Sequence, residues 1–372
     1  MRILNLFRGA GNDRPRIPSV TAAPDGKIYA FANNRKATDR DDAAETEILV
    51  SVRTPDGVWS PARAAAGHAG WSYMIGSAVT DTGTGKVMCL FKKIAVVDHE
   101  FHKAYPPEER KRLARIKEER DGMEEGDYVL ESLDGVHFTE RKIRILPNPS
   151  VTAGFILGSA GFSHGSGAGI TLLHGPHKGR LLIPARFSLH EVVDYTDLRT
   201  GSSNTVIWSD DHGESFQTGG AVEPGTGEGT LAELPDGRIY FNSRAYFGDG
   251  FRRSAWSSDG GLSFSGQRAA PDLIEPCCNA AMISVPHGGR EILLFTNPKS
   301  THDRVDMTFS ASFDGGETWR NGKCVDRRFA GYSSLAYDRK SGLLFLLYEC
   351  GEKTSIDEID LAELTVEEAL EA

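Results

Sequence analysis

The sequence predicts an all-β chain built from repeated antiparallel sheets, and three observations predict it. Gly at 41 and Pro at 17 of 372 residues, set among many short β-branched and aromatic runs, suit strands broken by frequent turns. A turn of the form S-x-D-x-G-x-x-aromatic occurs at Ser209-Asp210-Asp211-His212-Gly213-Glu214-Ser215-Phe216, at Ser257-Ser258-Asp259-Gly260-Gly261-Leu262-Ser263-Phe264 and at Ser312-Phe313-Asp314-Gly315-Gly316-Glu317-Thr318-Trp319. The copies begin 48 and then 55 residues apart, the length of one four-stranded unit with modest loops.

In such a turn the Ser and Asp side chains accept from the turn's own backbone N–H groups. Gly takes the φ > 0 position, and the aromatic swings back as a buried anchor. Shortened copies stand at Ser132-Leu133-Asp134-Gly135-Val136-His137-Phe138 and Arg53-Thr54-Pro55-Asp56-Gly57-Val58-Trp59. The repeated turn resembles the Asp-box of sialidases and related β-propellers, where its role is structural. The expected architecture is therefore a six-bladed β-propeller spanning 1–372 as a single domain. Its sixth blade would be closed by Leu343–Tyr348 lying near the N-terminal strand.

Taken in order, Arg2–Phe7 reads as a short strand. Arg16–Val20 and Lys27–Ala32 follow around a Pro24-Asp25-Gly26 turn, and Glu47–Val52 with the Asp56-Gly57 turn completes a first blade. Ser77–Thr80, a Gly-rich turn and Lys86–Phe91 repeat the pattern. The rhythm breaks near residues 100–125, where two prolines lead a densely charged segment, Pro106–Lys117, that reads as a helical insertion. From Asp127 the strands resume and continue to Tyr348.

A net charge of −10 argues against nucleic acid or an anionic membrane surface as partner. No run of 18 apolar residues is present, and the first residues are too short and polar for a secretory segment. The expected location is cytoplasmic. Cys89, Cys277, Cys278, Cys324 and Cys350 are odd in number and lack metal-ligand spacing. Adjacent Cys277 and Cys278 are poorly placed to bridge each other, so free thiols in a reducing compartment are expected. His164, His174 and His177 share no metal-ligand spacing, and no phosphate-binding or dinucleotide fingerprint occurs. No cofactor and no metal are expected.

Three arginines, Arg16, Arg244 and Arg304, each sit at the edge of an apolar run. Singly, an Arg in such a place is a solvated or ion-paired side chain. Together, three guanidinium groups could clamp one carboxylate with planar, charge-assisted bonds. Arg16-Ile17-Pro18 resembles the Arg-Ile-Pro motif that opens sialidases, and Arg244 and Arg304 match the rest of that family's arginine triad. Gly165–Ile170 and Gly175–Ala185 resemble its central region. The resemblance covers nearly the whole chain except the insertion.

The resemblance implies further roles. Glu228 matches the carboxylate that polarises a tyrosine hydroxyl, with Glu233 a nearby competitor, and Tyr332 matches the nucleophile. Arg35 matches a further arginine near the substrate. The general acid falls on the loop holding Asp39, Asp41 and Asp42, with Asp42 favoured and Asp41 second. The implied substrates are glycosides of sialic acid or a related acidic sugar, cleaved by a retaining exo-glycosidase through a tyrosyl-enzyme intermediate. Arg186, in Pro184-Ala185-Arg186-Phe187, brings charge to a region bordering the acyl pocket. It leaves open a related 2-keto-3-deoxy acid, a deaminated nonulosonic or eight-carbon one. A glycan-binding propeller without catalysis is the reading from another class, which a missing Tyr or Glu would favour.

Overall fold

The computed structural model describes residues 1–11, 13–36, 45–96, 108, 124–147, 161–188 and 201–371, and within them the chain is almost wholly β. The first sheet pairs Asp13–Ala22, Ile28–Lys36, Thr46–Arg53 and Arg63–Gly67 in sequence order. The second does the same with Trp71–Thr80, Val87–Ala95, Gly126–Ser132 and Thr139–Ile143. The third is centred on Leu181–Ser188 and Ser202–Ser209, and the fourth runs Thr226–Glu233, Ile239–Ala245, Phe251–Ser257, Ser265–Ile274.

The last sheet has seven strands and one unusual member. Arg320–Asp338 is 19 residues long. Its first half pairs with Val305–Ser312 and its second half with Leu343–Gly351, so one strand ends one sheet layer and begins the next. The N-terminal strand Arg2–Arg8 pairs antiparallel with Glu358–Thr365. Leu343–Gly351, expected to lie beside the N-terminal strand, is therefore one strand further in, with Glu358–Thr365 between them. A short helix, Val366–Leu370, follows, its start fixed by a capping box in which Thr365 accepts from Glu368 N at 3.1 Å. The helical segment expected around 106–117 lies outside the described residues, apart from Glu108. Among the described residues no helix is long and apolar enough to cross a membrane.

The repeated turns fold as their residues dictate. Ser312 Oγ accepts from Gly316 N at 2.8 Å, and Asp314 Oδ1 accepts from Thr318 N at 2.9 Å. Ser257 and Asp259 do the same for Gly261 and Ser263, and Ser209 and Asp211 for Gly213 and Ser215. Gly316 has φ +92°, and a Cβ there would stand 2.5 Å from the Tyr240 ring. The turn tips thus press on the neighbouring sheet. Trp319 packs against Tyr240 and Phe295 at centroid distances of 5.9 and 5.7 Å, joining the fourth sheet to the fifth. Phe216 does the same between the second and third sheets, among Val79, Met88 and Leu181. Burying such an aromatic contributes roughly 1.5–3 kcal/mol.

The first strands of the sheets are stitched together by a Gly-rich segment, residues 165–169. Ser77 Oγ donates to Gly165 O at 2.8 Å, Asn279 Nδ2 donates to Ser166 Oγ at 2.8 Å, and Ser19 Oγ donates to Gly167 O. A Cβ on Gly165 would stand 2.6 Å from Pro184 O, so only glycine fits this close approach. The seam ties the first strands of the first two sheets to Leu181–Ser188 of the third and to the residues just before Ala281–His287 of the last.

Asp314→Ala removes the acceptor for three turn hydrogen bonds, from Ser312 Oγ, Thr318 N and Thr318 Oγ1, while leaving the rest of the sheet intact. The expected loss is about 0.5–2 kcal/mol of stability with an unchanged denaturant slope. Urea unfolding of both proteins decides it. Equal midpoints would mean that the turn contributes nothing to stability.

Candidate active site

Five of the expected residues meet at one end of the inner strands. Tyr332, only 7 % exposed, donates its hydroxyl to Glu228 Oε1 at 2.5 Å. Arg244 Nη1 donates to Glu228 Oε2 at 2.6 Å and to Tyr332 Oη at 3.3 Å. The guanidinium carbons of Arg16 and Arg304 each lie 5.7 Å from the Tyr332 ring centroid, within cation–π range. Residues separated by more than 300 positions in sequence therefore share one small volume. The propagating reason is local: Arg16, Glu228 and Tyr332 lie on first strands or on the second half of the long strand, and Arg244 lies on the strand next to Glu228.

One carboxylate that sequence reasoning missed organises this end. Glu349 is fully buried. Its Oε1 accepts from Arg16 Nε at 2.6 Å and from Ile17 N at 2.9 Å, while Oε2 accepts from Tyr332 N at 3.0 Å. Ile17 holds φ +55°, a strained conformation for a β-branched residue, and the bond from its N–H helps to pin it. A Cβ on Gly331 would stand 2.6 Å from Glu349 Oε2, which explains the glycine before Tyr332. The sequence signal was an isolated Glu in the apolar run Leu343–Gly351, since an unpaired carboxylate is seldom buried.

The competitor for Glu228 falls elsewhere. Glu233 is five residues further along the same strand, roughly 16 Å at about 3.3 Å per residue. Its carboxylate accepts from Leu173 N at 2.6 Å and His174 N at 2.9 Å. It lines a separate cavity of about 160 Å³ with Thr21, Thr80, Thr171 and Glu291. Glu228 is the carboxylate beside Tyr332. Arg35 is buried at the same end of the first sheet as Arg16, two residues past Asn33, the residue opposite Arg16. Asp39, Asp41 and Asp42 lie outside the described residues, on the connection between strands that end at Lys36 and begin at Thr46.

Charge decides the protonation states. Burial pushes the Glu228 carboxyl up, but the positive charges of Arg244 and Arg186 more than offset it and hold it down to about 2. Glu228 is thus ionised at neutral pH. Burial and the adjacent Glu228 charge together push the Tyr332 hydroxyl well above its ordinary value, so the phenol is protonated. Arg244 is paired with Glu228, and Arg16 with Glu349. Arg304 among the described residues has no carboxylate partner, and its Nη2 donates to Cys277 O at 3.3 Å. Among the described residues Arg304 is thus a positive charge without a carboxylate beside a neutral phenol, a good receptor for an anion.

A second cluster has ligand-like composition. Asp326, Cys350 and Asp360 place an oxygen, a sulfur and an oxygen within 4.8 Å of one another. The chain's own Arg328 already fills it, with Nη2 donating to Asp326 Oδ2 at 2.7 Å and to Asp360 Oδ2 at 2.8 Å. A guanidinium supplies the positive charge that these carboxylates need.

The sequence family described as BNR repeat-like domain matches residues 26–345. The chain is 30% identical over 355 residues to the sialidase of Micromonospora viridifaciens, covering 90% of this chain and 50% of that protein. It is 27% identical over 255 residues to Sialidase-3 of Mus musculus, covering 57% of this chain and 60% of that protein. The chain thus spans half to three-fifths of the length of these two relatives. Among solved structures, Hadza microbial sialidase Hz136 superposes with a TM-score of 0.74 at 23% identity, over 95% of this chain and 66% of that one. The intramolecular trans-sialidase from Ruminococcus gnavus, in complex with oseltamivir carboxylate, gives 0.74 at 16% identity, over 99% and 98%. These likenesses agree with the propeller-like arrangement of the sheets.

The depressed Glu228 carboxyl makes stability depend on pH in a set direction. A group lowered from 4.5 to about 2 stabilises the folded state fully above pH 4.5 and loses that contribution as pH falls toward 2. Wild type should therefore lose stability relative to Glu228→Gln across that window. Parallel urea titrations at stepped pH test it. A difference that stays constant with pH would place the Glu228 carboxyl near its ordinary value.

Proposed function

The chain belongs to the sialidase family, and from that premise we propose that it is a retaining exo-glycosidase that removes terminal sialic acid from glycoconjugates. The observation that carries this reading is the 2.5 Å hydrogen bond from Tyr332 to Glu228 inside a cluster of three arginines. A sialic acid bears a carboxylate on its anomeric carbon, so a carboxylate nucleophile would approach against like charge. A neutral phenol avoids that repulsion. We count the seven-stranded sheet as two blades joined by the strand Arg320–Asp338, which with the other four sheets makes a six-bladed propeller.

In the proposed reaction Arg16, Arg244 and Arg304 hold the substrate carboxylate and present its anomeric carbon to Tyr332 Oη. As the new carbon–oxygen bond forms, the phenolic proton passes to Glu228. The glycosidic carbon–oxygen bond breaks, and the leaving oxygen takes a proton from Asp42. Water then attacks the tyrosyl intermediate on the face just vacated, giving its proton to Asp42. Tyr332 leaves and recovers its proton from Glu228. Two displacements restore the starting anomeric configuration. The names of the relatives favour sialic acid over a related 2-keto-3-deoxy acid.

Arg304→Ala removes the one clamp arginine that has no carboxylate partner among the described residues, so its loss should leave the fold unstrained. A charge-assisted bond is worth roughly 1.5–3 kcal/mol, so kcat/KM for an aryl sialoside should fall about 10- to 150-fold at unchanged Tm. Wild-type kinetics would remove Arg304 from the site.

Asp42→Ala is read by leaving group. An aryl leaving group with a low pKa needs little protonation, whereas a sugar oxygen needs much. The variant should form the tyrosyl intermediate from an activated aryl sialoside at a usable rate, yet lose about 10²–10⁴-fold on a sialyl-lactose substrate. Tyr332→Phe should lose the covalent route with both. Pre-steady-state kinetics on the two substrates decides it, and an equal loss for Asp42→Ala on both would pass the acid role to Asp41.

A further inference from the structure

We propose that Cys277 is a positioning residue of the carboxylate clamp, holding Arg244 by its thiol and Arg304 by its backbone carbonyl; this rests on the sialidase reading above. Arg244 Nε donates to Cys277 Sγ at 3.3 Å, and Arg304 Nη2 donates to Cys277 O at 3.3 Å. One residue therefore touches two of the three arginines. Arg244 has its Nη1 committed to Glu228 and Tyr332, so the Nε contact sets the rotation of the guanidinium plane about that pair. Arg304 lacks any carboxylate among the described residues, which leaves the carbonyl as a principal restraint on its head group.

The backbone at Cys277 is shaped for this task. Its φ is +51°, one of four positive values among non-glycine residues in the described chain. An L-residue with a side chain in that region is strained, and such strain persists only where the surroundings impose it. Both flanks do so. Glu275, buried at 2 %, accepts from Ala245 N at 2.7 Å and from Arg252 Nη1 at 2.7 Å. Arg252, fully buried, also donates to Cys278 O at 2.6 Å. Asn279 Oδ1 then accepts from Ser333 N at 3.1 Å, beside Tyr332. The segment is anchored before and after Cys277, and the left-handed residue between the anchors turns both its carbonyl and its sulfur toward the arginines. A glycine would adopt this φ without strain, so the retained side chain calls for a reason. The contact to Arg244 Nε supplies one.

Two substitutions separate positioning from support of the fold. Cys277→Gly removes the thiol and relieves the backbone, so it should fold with a Tm at or above that of wild type. Cys277→Ser keeps a hydrogen-bond acceptor at nearly the same place. With an aryl sialoside, Cys277→Gly should raise KM about threefold to tenfold, the scale of one lost modest hydrogen bond, with kcat changed by less than about twofold. The dissociation constant of a 2,3-unsaturated sialic acid analogue bearing the carboxylate should rise by the same factor. Cys277→Ser should recover most of both losses. A Cys277→Gly protein that matches wild type in KM and in analogue binding would overturn the positioning role and leave the sialidase reading standing. So would a Cys277→Ser protein as impaired as Cys277→Gly. Wild-type protein that neither cleaves the sialoside nor binds the analogue would overturn both.

Discussion

The site depends on one buried carboxylate. Glu349 has no exposed surface, and its two oxygens take up Arg16 Nε, Ile17 N and Tyr332 N. A charge so placed is tolerated only with a full complement of donors, and removing a single partner typically costs about 3–5 kcal/mol. The same carboxylate thereby fixes the guanidinium of Arg16, the strained turn at Ile17 and the backbone of the tyrosine. The strand Asp13–Ala22 and the second half of Arg320–Asp338 are locked to the strand Leu343–Gly351, and their relative height is set to within a hydrogen-bond length. Hydrophobic packing alone would leave that height free to slip, because apolar contacts are not directional.

Such precision needs a scaffold that does not shear. The repeated turns provide it from the outside, where Trp319 and Phe216 wedge between neighbouring sheets. The 165–169 segment provides it from the inside, where backbone carbonyls of Gly165 and Gly167 accept from Ser77 and Ser19. Packing at the rim and hydrogen bonding at the centre divide the work by what each does well. Apolar burial supplies most of the free energy, and the polar seam supplies the register. Cys277 extends the same logic to the arginines, where backbone strain between two anchored flanks sets the direction of a carbonyl.

Much of this was legible in the sequence, for reasons that differ by residue. The turns are local: Ser312, Asp314 and Gly316 carry their own hydrogen bonds, so their spacing reports a hairpin whatever surrounds it. Glu228 and Tyr332 were found through resemblance, and the residues themselves did not distinguish Glu228 from Glu233. The pleat does, since strand rise puts the two carboxylates at opposite ends of one strand. Glu349 and Cys277 were missed: Glu349 is marked locally only as a lone Glu in an apolar run, which does not name an arginine 333 residues away, and nothing local marks Cys277, whose partner Arg244 lies 33 residues away. The pairing of Arg2–Arg8 with Glu358–Thr365 was missed for the same reason, since strand order is a tertiary property. The capped helix at Val366–Leu370 was different, for Thr365 and Glu368 form a capping box readable from four residues. Its shortness hid it.

The charge arrangement bears on how such a tyrosine would be activated. Glu228 is a weak base, because the Arg244 and Arg186 charges hold its carboxyl down to about 2. Tyr332 meanwhile is held protonated by burial and by Glu228 itself. Both directions oppose proton transfer between them, which keeps the phenol neutral. On the proposed reading, arrival of the substrate carboxylate changes the balance. Its negative charge offsets the arginines, and the field that depressed Glu228 weakens. The carboxyl then moves back toward its ordinary value and becomes a better acceptor for the phenolic proton. The same offset weakens the pull of Arg244 on the phenol, so on this reading the transfer gains basicity at Glu228 and loses acidity at Tyr332. On the proposed reading, selectivity for an acidic sugar therefore rests on the arginines' hold on the substrate carboxylate and on the like charge that a neutral phenol avoids.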